Sequence, residues 1–356
     1  MIRLLIAAAA SAAAFSTPLA AQTPEAAAER LTSFLQTVPD LGPGYALVAV
    51  TPGDVVLNHV QGVRRASTGE PLTSDTPIYI ASQTKAYMGL LAAALDERGV
   101  LDLDSTLADH WPGLDLPGDL DPAAITLRDL ISHQAPIESG FIVNMEAYVT
   151  RLDPADYPRL LEAYSTARER GFRYNNVGYN IYGAILETET GRTWQDWLDA
   201  VIFDPLGMDD TSARTSDLGL DAVAWSHQWQ GAEAGWHEVR PKTDGQMQSA
   251  GCIHSSPENM AIWLQLQLRG SGPEGSGITA SMVEAAHTLT APTDPEVNQS
   301  LELPCQGYAL GWNICDFEGH TLYTHGGGYT GARTQMAFLP ELDVGVAVFA
   351  NSDNAT

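Results

Sequence analysis

The sequence predicts an α+β fold, an antiparallel sheet built from both chain termini and flanked by helices, with a mostly helical lobe inserted between. Three observations carry this. Residues 45–50, apolar throughout, and 55–60, with Val55, Val56, Leu57 and Val60, are joined by Thr51-Pro52-Gly53-Asp54 and read as a hairpin. Four further strand signals, at 308–314, 321–324, 334–339 and 344–350, crowd the other end. Between the two ends the apolar residues recur mainly at helical spacing.

Taken in order, Met1-Ile2-Arg3 is a short basic start. Residues 4–15 are an apolar run too short for a comfortable membrane span, and Leu19-Ala20-Ala21 before Gln22 is a small-residue cleavage site. Residues 1–21 therefore read as a signal peptide and 22–356 as a single domain. Its sheet lobe covers about 22–80 and 250–356, and its helical lobe about 81–249. The mature chain is expected to be secreted, most simply into a bacterial periplasm, with no membrane span.

Residues 24–36 form an amphipathic helix that offers Ala27, Leu31, Phe34 and Leu35 for packing. Residues 77–80 end a strand, and a helix runs from Ser82 to Asp96 until Arg98-Gly99 stops it. Residues 101–120, rich in Asp, Pro and Gly, are a loop. Thr126 caps a short helix, 141–170 are mostly helical, and two more helices cover 177–189 and 194–202 around Gly191. Residues 212–250 show no period and carry Trp225, Trp229 and Trp236, as pocket lining or as packing anchors. A helix covers 257–268. The sequence ends at Thr356, just past the last strand signal.

The formal charge is −26, from 18 Lys+Arg against 44 Asp+Glu, which argues against nucleic acid or an anionic membrane as partner. Three cysteines, Cys252, Cys305 and Cys315, leave at least one without an intrachain partner. An oxidising compartment would permit a Cys305–Cys315 bridge, but a strand over 308–314 would hold the two too far apart for one. Neither the cysteines nor the nine histidines show metal-ligand spacing, so no metal or other cofactor is expected.

The chemistry centres on Ser82-Gln83-Thr84-Lys85. A Ser-x-x-Lys at a strand-to-helix junction puts the lysine one turn from the serine on the same face, where the amine can take the hydroxyl proton. Alone, the pattern is equally an N-cap serine with a solvated lysine. Two further motifs follow in order: Tyr174-Asn175-Asn176 and His325-Gly326-Gly327-Gly328.

With these motifs in this order, the chain resembles the penicillin-recognising serine hydrolases: class C β-lactamases, D-alanyl-D-alanine carboxypeptidases and related esterases and D-aminopeptidases. Residues 125–133, 172–180, 203–211 and 249–251, together with Tyr308 to Trp312, extend the resemblance over most of the chain. Relatives usually add a helix after the last strand to cover the sheet. The resemblance implies that Ser82 is acylated, Lys85 helps deprotonate it, and Tyr174 serves as phenolate or hydrogen-bond relay. Asn176 would orient Lys85 and a substrate amide, and His325 stands where many relatives carry lysine. Gly326 and Gly327 would let substrate lie along a strand edge, and the N–H groups of Ser82 and Gly328 would form an oxyanion hole. His133, Tyr179 and Trp312 are assigned to packing. Gln134-Ala135-Pro136 and Cys252 depart from the family pattern. The expected activity is a secreted serine hydrolase acting on an ester, D-amino-acid peptide or β-lactam. The alternative is a non-catalytic binding or sensor module on the same fold.

Overall fold

Gly44–Val50 (β1) is buried along its whole length and pairs antiparallel on both sides, which places it inside a sheet rather than at an edge. A computed structural model describes residues 24–35, 37, 42–246, 248–295 and 299–353; the segment read as a signal peptide lies outside them. After the helix Pro24–Leu35 (α1) and β1 come Val55–Arg65 (β2), Glu70–Pro71 (β3), and the helices Thr84–Glu97 (α2), Val177–Thr190 (α3), Pro257–Arg269 (α4) and Ala280–His287 (α5). The strands Leu303–Tyr308 (β4), Asn313–Phe317 (β5), His320–Tyr329 (β6), Ala332–Leu339 (β7) and Val344–Ala350 (β8) follow. The sheet runs β4-β5-β6-β7-β8-β1-β2-β3 with antiparallel neighbours, and Ala291–Pro292 extends it beyond β4. This is the α+β arrangement expected: strands from both termini, with a helical insertion between them.

Packing fixes the active helix. Every residue of α2 from Thr84 to Leu95 is buried, as expected of a helix that is apolar nearly all round. The ring of Tyr87 stacks on Trp263 of α4 with centroids 3.8 Å apart. Trp312 stacks beyond Trp263 and meets Phe338 edge-on, so its assignment to packing holds. On the opposite sheet face Leu31 and Leu35 of α1 pack against Tyr45, Leu47, Leu57 and Val348.

Two sequence expectations change here. Residues 308–314 are not one strand. Ala309–Trp312 form a turn, closed by the Ala309 N–H donating to the Trp312 carbonyl at 2.8 Å. Gly311 takes φ 91° there, and a Cβ on it would lie 2.3 Å from the Lys85 carbonyl oxygen. The turn folds β4 and β5 into a hairpin, which puts Cys305 directly opposite Cys315, and the two are disulfide-bonded. The distance argument against the bridge failed because the chain reverses between the cysteines. The unpatterned region also contains a hairpin, Ser226–Trp229 with Trp236–Val239. Its two tryptophans pair across the strands at 5.1 Å, and Arg65 sits over Trp225 at 3.9 Å.

Candidate active site

The nucleophile turn is held from three sides. Ile78–Tyr79 pairs with His254–Ser255, and the Ile80 N–H donates to the Ile253 carbonyl at 3.0 Å. A single 3₁₀ turn, Ala81–Gln83, then leads into α2. Ala81 adopts φ 49°, a left-handed conformation that costs a non-glycine residue about 1–3 kcal/mol and is kept only where the surroundings impose it. The buried Gln83 supplies part of that constraint. With its amide oxygen turned to β7, it accepts from Thr334 Oγ1 at 3.2 Å, Gln335 N at 3.1 Å and Met336 N at 3.2 Å. The Ile253 N–H donates to Thr84 Oγ1 at 3.1 Å, and the Tyr79 hydroxyl donates to the Gly251 carbonyl.

Lys85 Nζ donates to Ser82 Oγ at 3.2 Å and to the Ala250 carbonyl at 2.5 Å. The residue is fully buried, and burial holds its amine well below the usual lysine range. The amine lies 5.0 Å from the ring centroid of Tyr174 and 5.4 Å from that of Tyr179. Tyr174 is 43% exposed, yet its hydroxyl is turned inward onto the Ser82 side chain. Burial raises the phenol above its ordinary value, and the bond to Ser82 only partly offsets this. Burial thus disfavours both the Lys85 ammonium and the Tyr174 phenolate.

Asn176 N-caps α3 by position, without a side-chain capping bond. Its Oδ1 is buried and has no partner among the described residues. Lys85 Nζ donates to Ser82 and Ala250 and not to Asn176, so the orienting role expected of Asn176 has no hydrogen bond to Lys85 behind it.

On β6, residues 325, 327 and 329 share one face. β5 pairs with β6 only as far as Thr324, whereas β7 pairs along 323–329, so the segment 325–329 has one open edge. Gly327 is pressed against the nucleophile turn: a Cβ there would lie 2.1 Å from the Ile80 carbonyl oxygen. Gly328 has no such neighbour and is exposed. His325 is buried and has both ring nitrogens engaged. Nδ1–H donates to the Gly326 carbonyl at 2.7 Å, and Nε2 accepts from the Tyr308 hydroxyl at 3.1 Å. Burial, with Lys85 nearby, lowers its pKa to about 3.

Sequence reasoning missed several supports. His133 was assigned to packing and does pack, its ring 4.3 Å from Tyr174 and 4.8 Å from Tyr308. It also accepts the Asn175 N–H on Nδ1 at 3.3 Å, from a backbone with φ 62°, and so sets the loop that carries Tyr174. Tyr308 and Ala250 lie in the stretches 308–312 and 249–251 that carry the resemblance, but the sequence assigned neither of them a role. The signals available for His133 were its place in the family-like stretch 125–133 and at the end of the capped helix Leu127–Ile131, whose Thr126 cap is as predicted.

The chain matches the Beta-lactamase family over residues 34–356. It belongs to that family of serine hydrolases and penicillin-binding proteins. Among curated relatives, Penicillin-binding protein 4 of Amycolatopsis lactamdurans is 25% identical over 341 residues, covering 88% of this chain and 82% of that protein. Unguisins hydrolase ungD of Aspergillus violaceofuscus (strain CBS 115571) is 27% identical over 347 residues, covering 87% of this chain. This chain spans only 58% of the length of that hydrolase, and 53% of its Aspergillus campestris counterpart. Among solved structures, the octameric penicillin-binding protein homologue from Pyrococcus abyssi superposes with a TM-score of 0.74 at 24% identity, over 91% of this chain and 73% of that one. The D-amino acid amidase from Ochrobactrum anthropi SV3 gives 0.69 at 20%, over 90% and 88%. At these identities the structural likeness establishes the fold.

Proposed function

We propose that this β-lactamase-family hydrolase cleaves esters or amides of small molecules or peptides through an acyl-enzyme on Ser82. One observation carries the reading. Lys85 is an amine buried without a carboxylate partner, 3.2 Å from a serine hydroxyl that remains partly accessible. Burying such a group costs stability, and a binding module would gain nothing by keeping it. The neutral amine takes the Ser82 proton as Oγ attacks the substrate carbonyl. The N–H groups of Ser82 and Gly328 receive the oxyanion. Tyr174 passes a proton to the leaving group, and the same groups then activate the water that releases the acyl product. Asn176 Oδ1 accepts a substrate amide N–H. His325, neutral and with both nitrogens engaged, holds a carboxylate on the leaving-group side weakly, which favours esters and amides without one there over β-lactams. Export to an oxidising compartment is part of the same proposal, supported by the Cys305–Cys315 bridge.

The test is covalent labelling with a fluorescent fluorophosphonate, alongside turnover of ester, D-Ala-D-Ala and cephalosporin substrates. Labelling and turnover are expected in the unmodified protein and absent in Ser82→Ala, with the fold retained, since the lost hydroxyl is worth at most a cap-sized ~1 kcal/mol. Undiminished labelling of Ser82→Ala would overturn the assignment.

A further inference from the structure

The sequence contains only two lysines, Lys85 and Lys242. In a chain with 44 acidic residues a lysine would ordinarily stand at the surface beside a carboxylate. Lys242 does neither. It is 4% exposed, and none of the ion pairs among the described residues includes it. Its Nζ donates to the Ala147 carbonyl and lies over the face of Tyr329, 3.5 Å from the ring centroid and 5.4 Å from that of Tyr148.

The location of this cage gives it meaning. Tyr329 is the residue after Gly328 and shares the β6 face of His325 and Gly327. It packs with Tyr79, Ala81 and Ala332, directly behind the nucleophile turn. Tyr148 comes from the helical insertion, is 58% exposed, and stacks on Tyr329 at 5.7 Å, so it reaches the sheet lobe at this end of the cleft. Tyr174 lies at the other end of the same strand face, 6.0 Å from the His325 ring. On the reading above, Tyr174 serves the leaving group. The acyl half of a substrate bound along β6 then points the opposite way, toward Tyr329, Tyr148 and Lys242.

We propose that these three residues form an acyl-side subsite selective for acyl groups that end in a carboxylate. A desolvated amine lacking an internal counter-ion is completed by an anion that arrives with the substrate, and a charge-assisted hydrogen bond in such a place is among the stronger polar contacts. The two tyrosine rings supply apolar walls for the methylene chain leading to it. Burial has already lowered the Lys242 pKa to about 7, as expected of an amine with no partner.

The proposal rests on the acyl-enzyme reading, and its test separates the two. Ser82-dependent hydrolysis of p-nitrophenyl hexanoate reports the chemistry alone. The ratio of kcat/KM for p-nitrophenyl hydrogen adipate to that for the hexanoate reports the subsite. The expected ratio in the unmodified protein is about tenfold or more in favour of the adipate, the size of one good charge-assisted contact. Lys242→Met should lower that ratio at least tenfold, through KM more than kcat, and Lys242→Arg should restore most of it. A ratio at or below one in the unmodified protein overturns the subsite without recourse to any variant. So does a Lys242→Met protein that loses both esters in equal proportion. Hexanoate turnover that survives Ser82→Ala would instead defeat the catalytic reading.

Discussion

A Cβ built on Gly327 would stand 2.1 Å from the carbonyl oxygen of Ile80, so β6 and the turn carrying Ser82 touch backbone to backbone. That contact couples the open strand edge to the nucleophile. Gly327→Ala should push the two apart, cost about 1–3 kcal/mol as an overpacking change, and cut fluorophosphonate labelling sharply. Thermal melts and labelling rates measured on one preparation check both effects. An alanine variant with unmodified labelling would mean that the two segments are not coupled.

Tyr174→Phe keeps the ring against His133 and removes only the hydroxyl that meets Ser82. Turnover of an amide should slow by about 10²–10⁴-fold, the range for loss of a general acid–base group. An activated ester, whose leaving group needs no proton, should slow less. Equal slowing of both substrates would argue that Tyr174 does not relay to the leaving group.

His325 has an ordinary pKa of about 6.5, which would have it take up a proton as the pH falls toward about 6 and so attract an anionic substrate. The structure moves that window. Burial and Lys85 depress the folded value to about 3, so the ring stays neutral at every pH above that. The ratio of cephalosporin to ester kcat/KM should therefore be low and free of any His325 titration between about pH 6 and 8. His325→Lys should raise it. A steep rise in the unmodified protein toward the acid side would contradict the bonds to Gly326 and Tyr308.

Glu146 gives a stability prediction of definite sign. It is buried, its Oε2 has no partner among the described residues, and burial raises its pKa from 4.5 to about 7. A folded pKa above the unfolded one means that the stabilising contribution is complete below the unfolded value and is lost as pH rises through about 7. Between about pH 5 and 8 the unmodified protein should lose melting temperature relative to Glu146→Gln. Parallel curves for the two proteins would show the carboxyl to be ionised throughout.

The order of strands and helices was legible because β1 and β8 are uninterrupted apolar runs, β2 and β7 carry apolar stretches, and α2 has a clear helical composition. The site was legible where function is carried by side chains in local patterns: Ser82 with Lys85, Tyr174 with Asn176, and the glycines after His325. It was not legible where backbone does the work. The Ala250 carbonyl that anchors Lys85, the left-handed Ala81 and the Gln83 tether to β7 depend on partners more than a hundred residues away. The β4–β5 turn hid inside an apolar stretch whose only break is Gly311. Lys242 had no motif, and its significance comes from where the fold brings it.

Gly44 N–H donates to Asn351 Oδ1 at 2.8 Å, across 307 positions of sequence, and β1 waits for β8 along its whole length. A sheet whose centre joins β1 to β8 cannot close until both strands have left the ribosome, and β8 follows every other strand of the sheet. β7, which grips Gln83 beneath the nucleophile, arrives only just before it. Contacts of such long range form late and slowly. The nascent chain therefore carries its serine and lysine past the ribosome before either is assembled into a working pair. The topology thereby defers assembly of the Ser82–Lys85 pair until β8 has been made.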